Sequence, residues 1–123
     1  MIRKLNDHKA LRWGIVLAMT MLYWSCGGDN PFLPEERGEN EIWIQSDGFN
    51  PRTLTVSAGT TVTWINKDNQ DHIVDSGTPG NPTIEFTSPT LKPQKRWSHT
   101  FSKKGTFDYY CSIHERTGRV IVQ

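Results

Sequence analysis

The sequence predicts an all-β fold, a Greek-key β-sandwich over residues 41–123. Two observations point there. Apolar residues in this span recur at every second position over short runs, the spacing of half-buried strands, and nowhere sustain a helical period. Gly, Pro and Asn turn signals separate the runs at the intervals typical of a sandwich, with no internal repeat or low-complexity tract between them.

Taken in order, Ile42 and Ile44 alternate with Trp43 and Gln45, and Leu54 alternates with Val56. Ala58-Gly59-Thr60 reads as a hairpin turn into the strand Thr61-Val62-Thr63-Trp64-Ile65. A long, proline-punctuated loop is expected from Asp75 to about Lys95, including Thr78-Pro79-Gly80-Asn81-Pro82. Trp97, His99 and Phe101 then share one strand face, and Lys103-Lys104-Gly105 makes the last turn. Phe107 and Tyr109 alternate with Asp108 and Tyr110, and the β-branched run Val120-Ile121-Val122 suits a closing strand. The expected core is aromatic: Phe49, Trp64, Trp97, Phe101, Phe107 and one of the paired tyrosines.

Ahead of this domain lies a targeting segment. Arg3, Lys4, Lys9 and Arg12 precede the apolar run Trp13–Trp24, whose twelve residues would rise only ~18 Å as a helix. That is short of the roughly 20 residues needed to span a bilayer and has the form of a secretory signal. The run ends in Ser25-Cys26, which resembles the lipobox of bacterial lipoproteins and implies lipidation of Cys26. Residues 1–25 are therefore read as a signal peptide and 26–40 as a lipid-anchor and linker segment, rich in Gly, Pro and acidic residues. The chain is expected to be exported, to the periplasm or cell surface, and tethered to the membrane. The signal segment carries four basic residues and one acidic one, so its removal takes the formal net charge from +1 to about −2. A nearly neutral domain with no basic stripe excludes a nucleic-acid partner.

The chemistry concentrates near the C-terminus, in the eighteen residues from Gly105 to Val122. Cys111 and His114 stand three apart on a predicted tight turn, close enough for a thiolate and an imidazole to meet on one soft or borderline metal ion. The obvious third donor is His72, thirty-nine residues upstream. Each has a plainer alternative, a buried structural thiol for Cys111 and a loop hydrogen bond for His72. His99 shares strand parity with Trp97 and Phe101, which makes it a core histidine rather than a ligand. No C-x-x-C-H, C-x-x-C or G-x-S-x-G pattern occurs, which argues against haem attachment, thiol exchange and a serine hydrolase elbow.

Asn-x-Asp-x-x-x-His at residues 66–72, Pro79-Gly80-Asn81-Pro82, the run from Phe101 through Gly105-Thr-Phe-Asp-Tyr-Tyr-Cys111-Ser-Ile-His114, and Thr117-Gly-Arg-Val-Ile-Val122 together resemble the cupredoxins, the blue-copper proteins of plastocyanin and azurin type. The resemblance covers nearly all of residues 41–123. It implies an eight-strand cupredoxin-like sandwich holding one copper ion through His72, Cys111 and His114. It implies a type 1-like carrier of single electrons, cycling Cu(I) and Cu(II) with redox partners such as a cytochrome or an oxidase, rather than an enzyme. A monomer fits that role. The alternative is a copper-binding, storage or delivery module that does not shuttle electrons, or a degenerate cupredoxin retained for binding. Trigonal thiolate and imidazole ligands suit both oxidation states, so little rearrangement accompanies transfer. Tyr110 and Ile113 flank the ligands and are either an apolar docking patch or ordinary packing.

Two departures from the family follow. The only methionines are Met1, Met19 and Met21, so no axial thioether is available after His114, where the loop runs Glu115-Arg116-Thr117-Gly118. The axial side is then expected to receive at most a backbone oxygen, that of Asp71, with Glu115 and Arg116 pointing to solvent. The reduction potential should then lie above that of a matched site with methionine. Ile73 also follows the first histidine where the family often has a hydrogen-bonding residue.

Overall fold

The computed structural model describes residues 34–123, of which Glu36–Gln123 form one compact unit. The predicted signal segment and Cys26 lie outside the described residues. Among the described residues nine strands follow in order: β1 (Glu41–Gln45), β2 (Gly48–Asn50), β3 (Thr53–Val56), β4 (Thr60–Asn66), β5 (Val74–Thr78), β6 (Asn81–Thr87), β7 (Arg96–Phe101), β8 (Gly105–Cys111) and β9 (Thr117–Val122). The all-β expectation holds, with one strand more than the eight that the resemblance implies. The short β2 folds back on β1 through a two-residue turn, with Gln45 opposite Gly48.

Two sheets face each other, ordered β2-β1-β4-β7 and β3-β9-β8-β5-β6. Their neighbours are mostly non-consecutive in sequence, the crossed connectivity of a Greek key. Side-chain alternation sets which residues face inward. On β1 only Ile42 and Ile44 are buried, and on β9 Gly118, Val120 and Val122 are buried. On β4 Val62 and Trp64 turn inward, while the Thr61 and Thr63 hydroxyls pair with Thr100 and Ser98 on the outer face, each at 2.7 Å. Trp64 is the centre of the core, with Trp97 and Tyr109 centroids 5.4 Å away and Phe86 and Phe101 beyond. Of the two adjacent tyrosines, Tyr109 is the buried one.

Two expectations fail. The span from Asp75 to Lys95 is not one long loop, because β5 and β6 form an antiparallel hairpin there. Pro79-Gly80 is its two-residue turn: Pro sets the first central position, and Gly80 at φ +80° takes the second, which disfavours other residues. Phe86 of β6, which the sequence reading omitted, joins the core. Ala58-Gly59-Thr60 is likewise not a hairpin. β3 pairs in parallel with β9 and β4 pairs with β1 and β7, so this turn carries the chain from one sheet to the other. Its amides are tied across the fold, Ala58 N to Gln123 O at 2.9 Å and Gly59 N to Phe101 O at 2.6 Å.

Candidate metal centre

The C-terminal end of β8 and two loops meet at one end of the sandwich. The β8 alternation that buries Tyr109 also buries Cys111, its last residue. Beyond it the chain makes a single tight turn. Glu115 N donates to Cys111 O at 2.7 Å, Cys111 N donates to Arg116 O at 2.8 Å, and Glu115 takes a left-handed φ of 57°. These bonds fold His114 back over Cys111. His72 arrives from the loop between β4 and β5, its backbone bonded in both directions to that of Leu91, at 3.1 and 2.7 Å.

Three atoms converge. Cys111 Sγ lies 3.4 Å from His72 Nδ1 and 3.8 Å from His114 Nδ1, and the two ring nitrogens are 3.2 Å apart. The centre of that triangle is about 2 Å from all three atoms, close to the bond lengths of a first-row ion to imidazole nitrogen and thiolate, about 2.0–2.1 and 2.3 Å. His72 and Cys111 are buried and His114 is half-buried, so one imidazole edge reaches the surface. The structure thus brings together the three residues that sequence spacing singled out, each histidine offering Nδ1. One soft thiolate with two borderline imidazoles suits copper or zinc and disfavours hard cations.

The surroundings add what the sequence reading did not include. His72 Nε2 lies 2.8 Å from Asp68 Oδ2. That bond, seconded by the Asn69 amide, holds the Asp68 carboxyl below its ordinary range, so it is ionised at neutral pH. The signal was present as Asp and His four apart, but spacing in an irregular loop does not say which side chains meet. Asp71, proposed for its backbone oxygen, sends its carboxylate outward to within 3.8 Å of Lys92 Nζ. Glu115 and Arg116 are exposed as expected, and Arg116 reaches Ser46 O at 3.4 Å. Ile113 is also exposed, while Tyr110 is half-buried. His99 is no ligand: its ring sits 4.8 Å from those of Phe86 and Phe101, and burial pushes its pKa down.

Comparison with known proteins supplies a family. The model of the "Cupredoxin-like domain" matches residues 15–122. Amicyanin of Paracoccus denitrificans is 32% identical over 100 residues, which cover 77% of this chain and 75% of that protein. Among solved structures, a purple cupredoxin from Nitrosopumilus maritimus is 34% identical with a TM-score of 0.64, covering 68% of this chain and 98% of the other. A mutant of amicyanin in its Cu(I) form is 29% identical with a TM-score of 0.62, covering 79% and 95%.

Proposed function

The chain belongs to the cupredoxin-like family, and from that premise we propose that it is a mononuclear copper protein carrying single electrons rather than an enzyme. One observation carries the reading: a thiol at the end of β8, an imidazole from the turn after it and a second imidazole from the β4–β5 loop converge on a point where one ion fits. His72 and His114 would hold the copper through Nδ1 and Cys111 through Sγ. The copper supplies a Cu(I)/Cu(II) couple.

The chain's own residues set the conditions for that couple. Two hydrogen-bonded loops on a stiff sandwich hold the donors in one arrangement, so neither oxidation state has to rebuild the site. Burial of Cys111 and His72 keeps water from the thiolate. The half-buried His114 ring would carry the electron between the site and a partner, and Ile113, 48% exposed next to it in the chain, offers that partner an apolar contact. A cytochrome or an oxidase is the kind of partner this suits. With no methionine after residue 21, no thioether is available beside these three donors, and the backbone oxygen of Asp71 would be the candidate for any further contact.

The domain would begin near residue 41, with residues 1–25 removed as a signal peptide and 26–40 tethering a lipidated Cys26 to the outer side of a bacterial membrane. The basic start and short apolar run support this reading. The proposal is tested by adding Cu(II) to the purified chain and recording the visible spectrum and reversible cycling at an electrode. An intense thiolate-to-copper band that bleaches and returns on reduction and reoxidation is expected. A stably bound copper that cannot be cycled identifies a storage or delivery module, and no binding refutes both.

A further inference from the structure

Asp68 occupies the far side of the His72 ring from the nitrogen that meets Cys111 and His114. Both side chains are largely withdrawn from water, 3% exposed for His72 and 10% for Asp68. Asp68 is itself held in place. The wholly buried Asn66 accepts the Asp68 amide through Oδ1 at 2.9 Å and donates through Nδ2 to the Gln70 and Leu91 carbonyls at 2.7 and 2.8 Å. The Asn69 amide donates to Asp68 Oδ1 at 2.8 Å, leaving Oδ2 for the imidazole. Leu91 is the same residue that pins the His72 backbone, so one network fixes both ends of the contact.

We infer that Asp68 is a positioning residue for the copper centre, an inference that rests on the copper reading above. It fixes His72 as the Nε2–H tautomer and biases the site toward Cu(II). An ionised carboxylate only accepts hydrogen bonds, so the ring nitrogen facing it must carry the proton. In a neutral imidazole that leaves the lone pair on Nδ1, the atom aimed at the site. The negative charge held against the ring attracts the doubly charged ion more than the singly charged one. It therefore lowers the potential, against the rise expected from the missing thioether. A carboxylate behind a ligand does part of what an axial donor does in front of the metal.

The experiment compares Asp68→Ala, Asp68→Asn and Asp68→Glu in the full chain. Asp68→Ala should weaken Cu(II) binding by about 10–100-fold. The loss should be at least about tenfold greater for Cu(II) than for Cu(I), which raises the potential by ~59 mV or more for a one-electron couple. Asp68→Asn keeps an acceptor oxygen without the charge, so the potential should rise with a smaller loss of affinity. Asp68→Glu should restore both towards the parent. A second readout needs no copper: long-range proton–nitrogen correlations of His72 in the copper-free parent, in mildly alkaline buffer, should show Nε2–H. An Nδ1–H tautomer there, or potentials unchanged in both Asp68→Ala and Asp68→Asn, overturns the inference. If the parent chain binds no copper, the proposed function falls, while the copper-free tautomer still decides whether Asp68 orients His72.

Discussion

Gly118 is the residue on which the packing beneath the metal end can be tested most sharply. In the β8–β9 ladder it lies opposite Tyr109, whose ring crosses directly over it. A Cβ at this position would collide with Tyr109 Cζ and its hydroxyl, and would come to 2.6 Å from Cε2. The ring cannot simply slide away. Phe49 meets it edge-on with centroids 4.7 Å apart, and Trp64 does so at 5.4 Å. Overpacking a core costs typically 1–3 kcal/mol, and a ring held by rigid neighbours belongs at the upper end. Gly118→Ala should therefore destabilise the copper-free protein by about 3 kcal/mol. For a domain this small that lowers Tm by about 12–24 °C, at ~4–8 °C per kcal/mol. The assay is urea and thermal unfolding of Gly118→Ala, Tyr109→Leu and the double variant. With the ring tip gone, Gly118→Ala should cost less than about 1 kcal/mol, a coupling of about 2 kcal/mol. A loss that is equal in both backgrounds, or a Gly118→Ala protein within about 0.5 kcal/mol of the parent, would refute the steric argument.

Three further outcomes are expected. Cys111→Ser should abolish the thiolate-to-copper band, because a hydroxyl is a poor, hard substitute for a thiolate, and His72→Ala should weaken copper binding without unfolding the domain; a parental spectrum in His72→Ala would remove that residue from the ligand set. Burial lowers the His99 pKa below that of the unfolded chain, so its contribution is fully present above about pH 6.5 and is lost as pH falls through the folded value. Copper-free His99→Phe should lose less stability than the parent on acidification below that point, as measured by urea unfolding across pH, and equal slopes would exclude His99 as a source of acid sensitivity. Cys26→Ser should move the protein from the membrane fraction to the soluble periplasm or medium, whereas equal partitioning of the two forms would sink the lipid anchor and leave export standing.

Much of the fold and of the candidate site was legible along the chain. Alternation in β1, β8 and β9 needs no partner to be seen, since successive side chains of any strand point to opposite faces. It paired Ile42 with Ile44 and Phe107 with Tyr109 on common faces and set His99 among aromatic rings, while the structure decided that Tyr109 is the buried tyrosine and that Cys111 is buried as well. Cys111 and His114 were readable because one tight turn holds both, and a thiol with an imidazole at that spacing restricts the choice of metal by chemistry alone. β6 gave no comparable signal. It lies at the edge of its sheet and buries only Phe86, with Ile84 wholly exposed, so its hydrophobic pattern does not mark the face turned to the core.

Sequence alone determined the residue types, their periods and the local turns, because these depend on covalent geometry and on neighbours a few positions away. Tertiary structure decided the rest. The turn at Ala58–Thr60 looks the same whether the next strand returns to its neighbour or crosses to the other sheet, and only the parallel pairing of β3 with β9 selects the crossing. Asp68 and His72 stand four apart in a loop with no regular period, so no spacing rule brings them together. Their 2.8 Å contact exists because Asn66, buried at the end of β4, binds the Gln70 and Leu91 carbonyls and closes the loop around the imidazole.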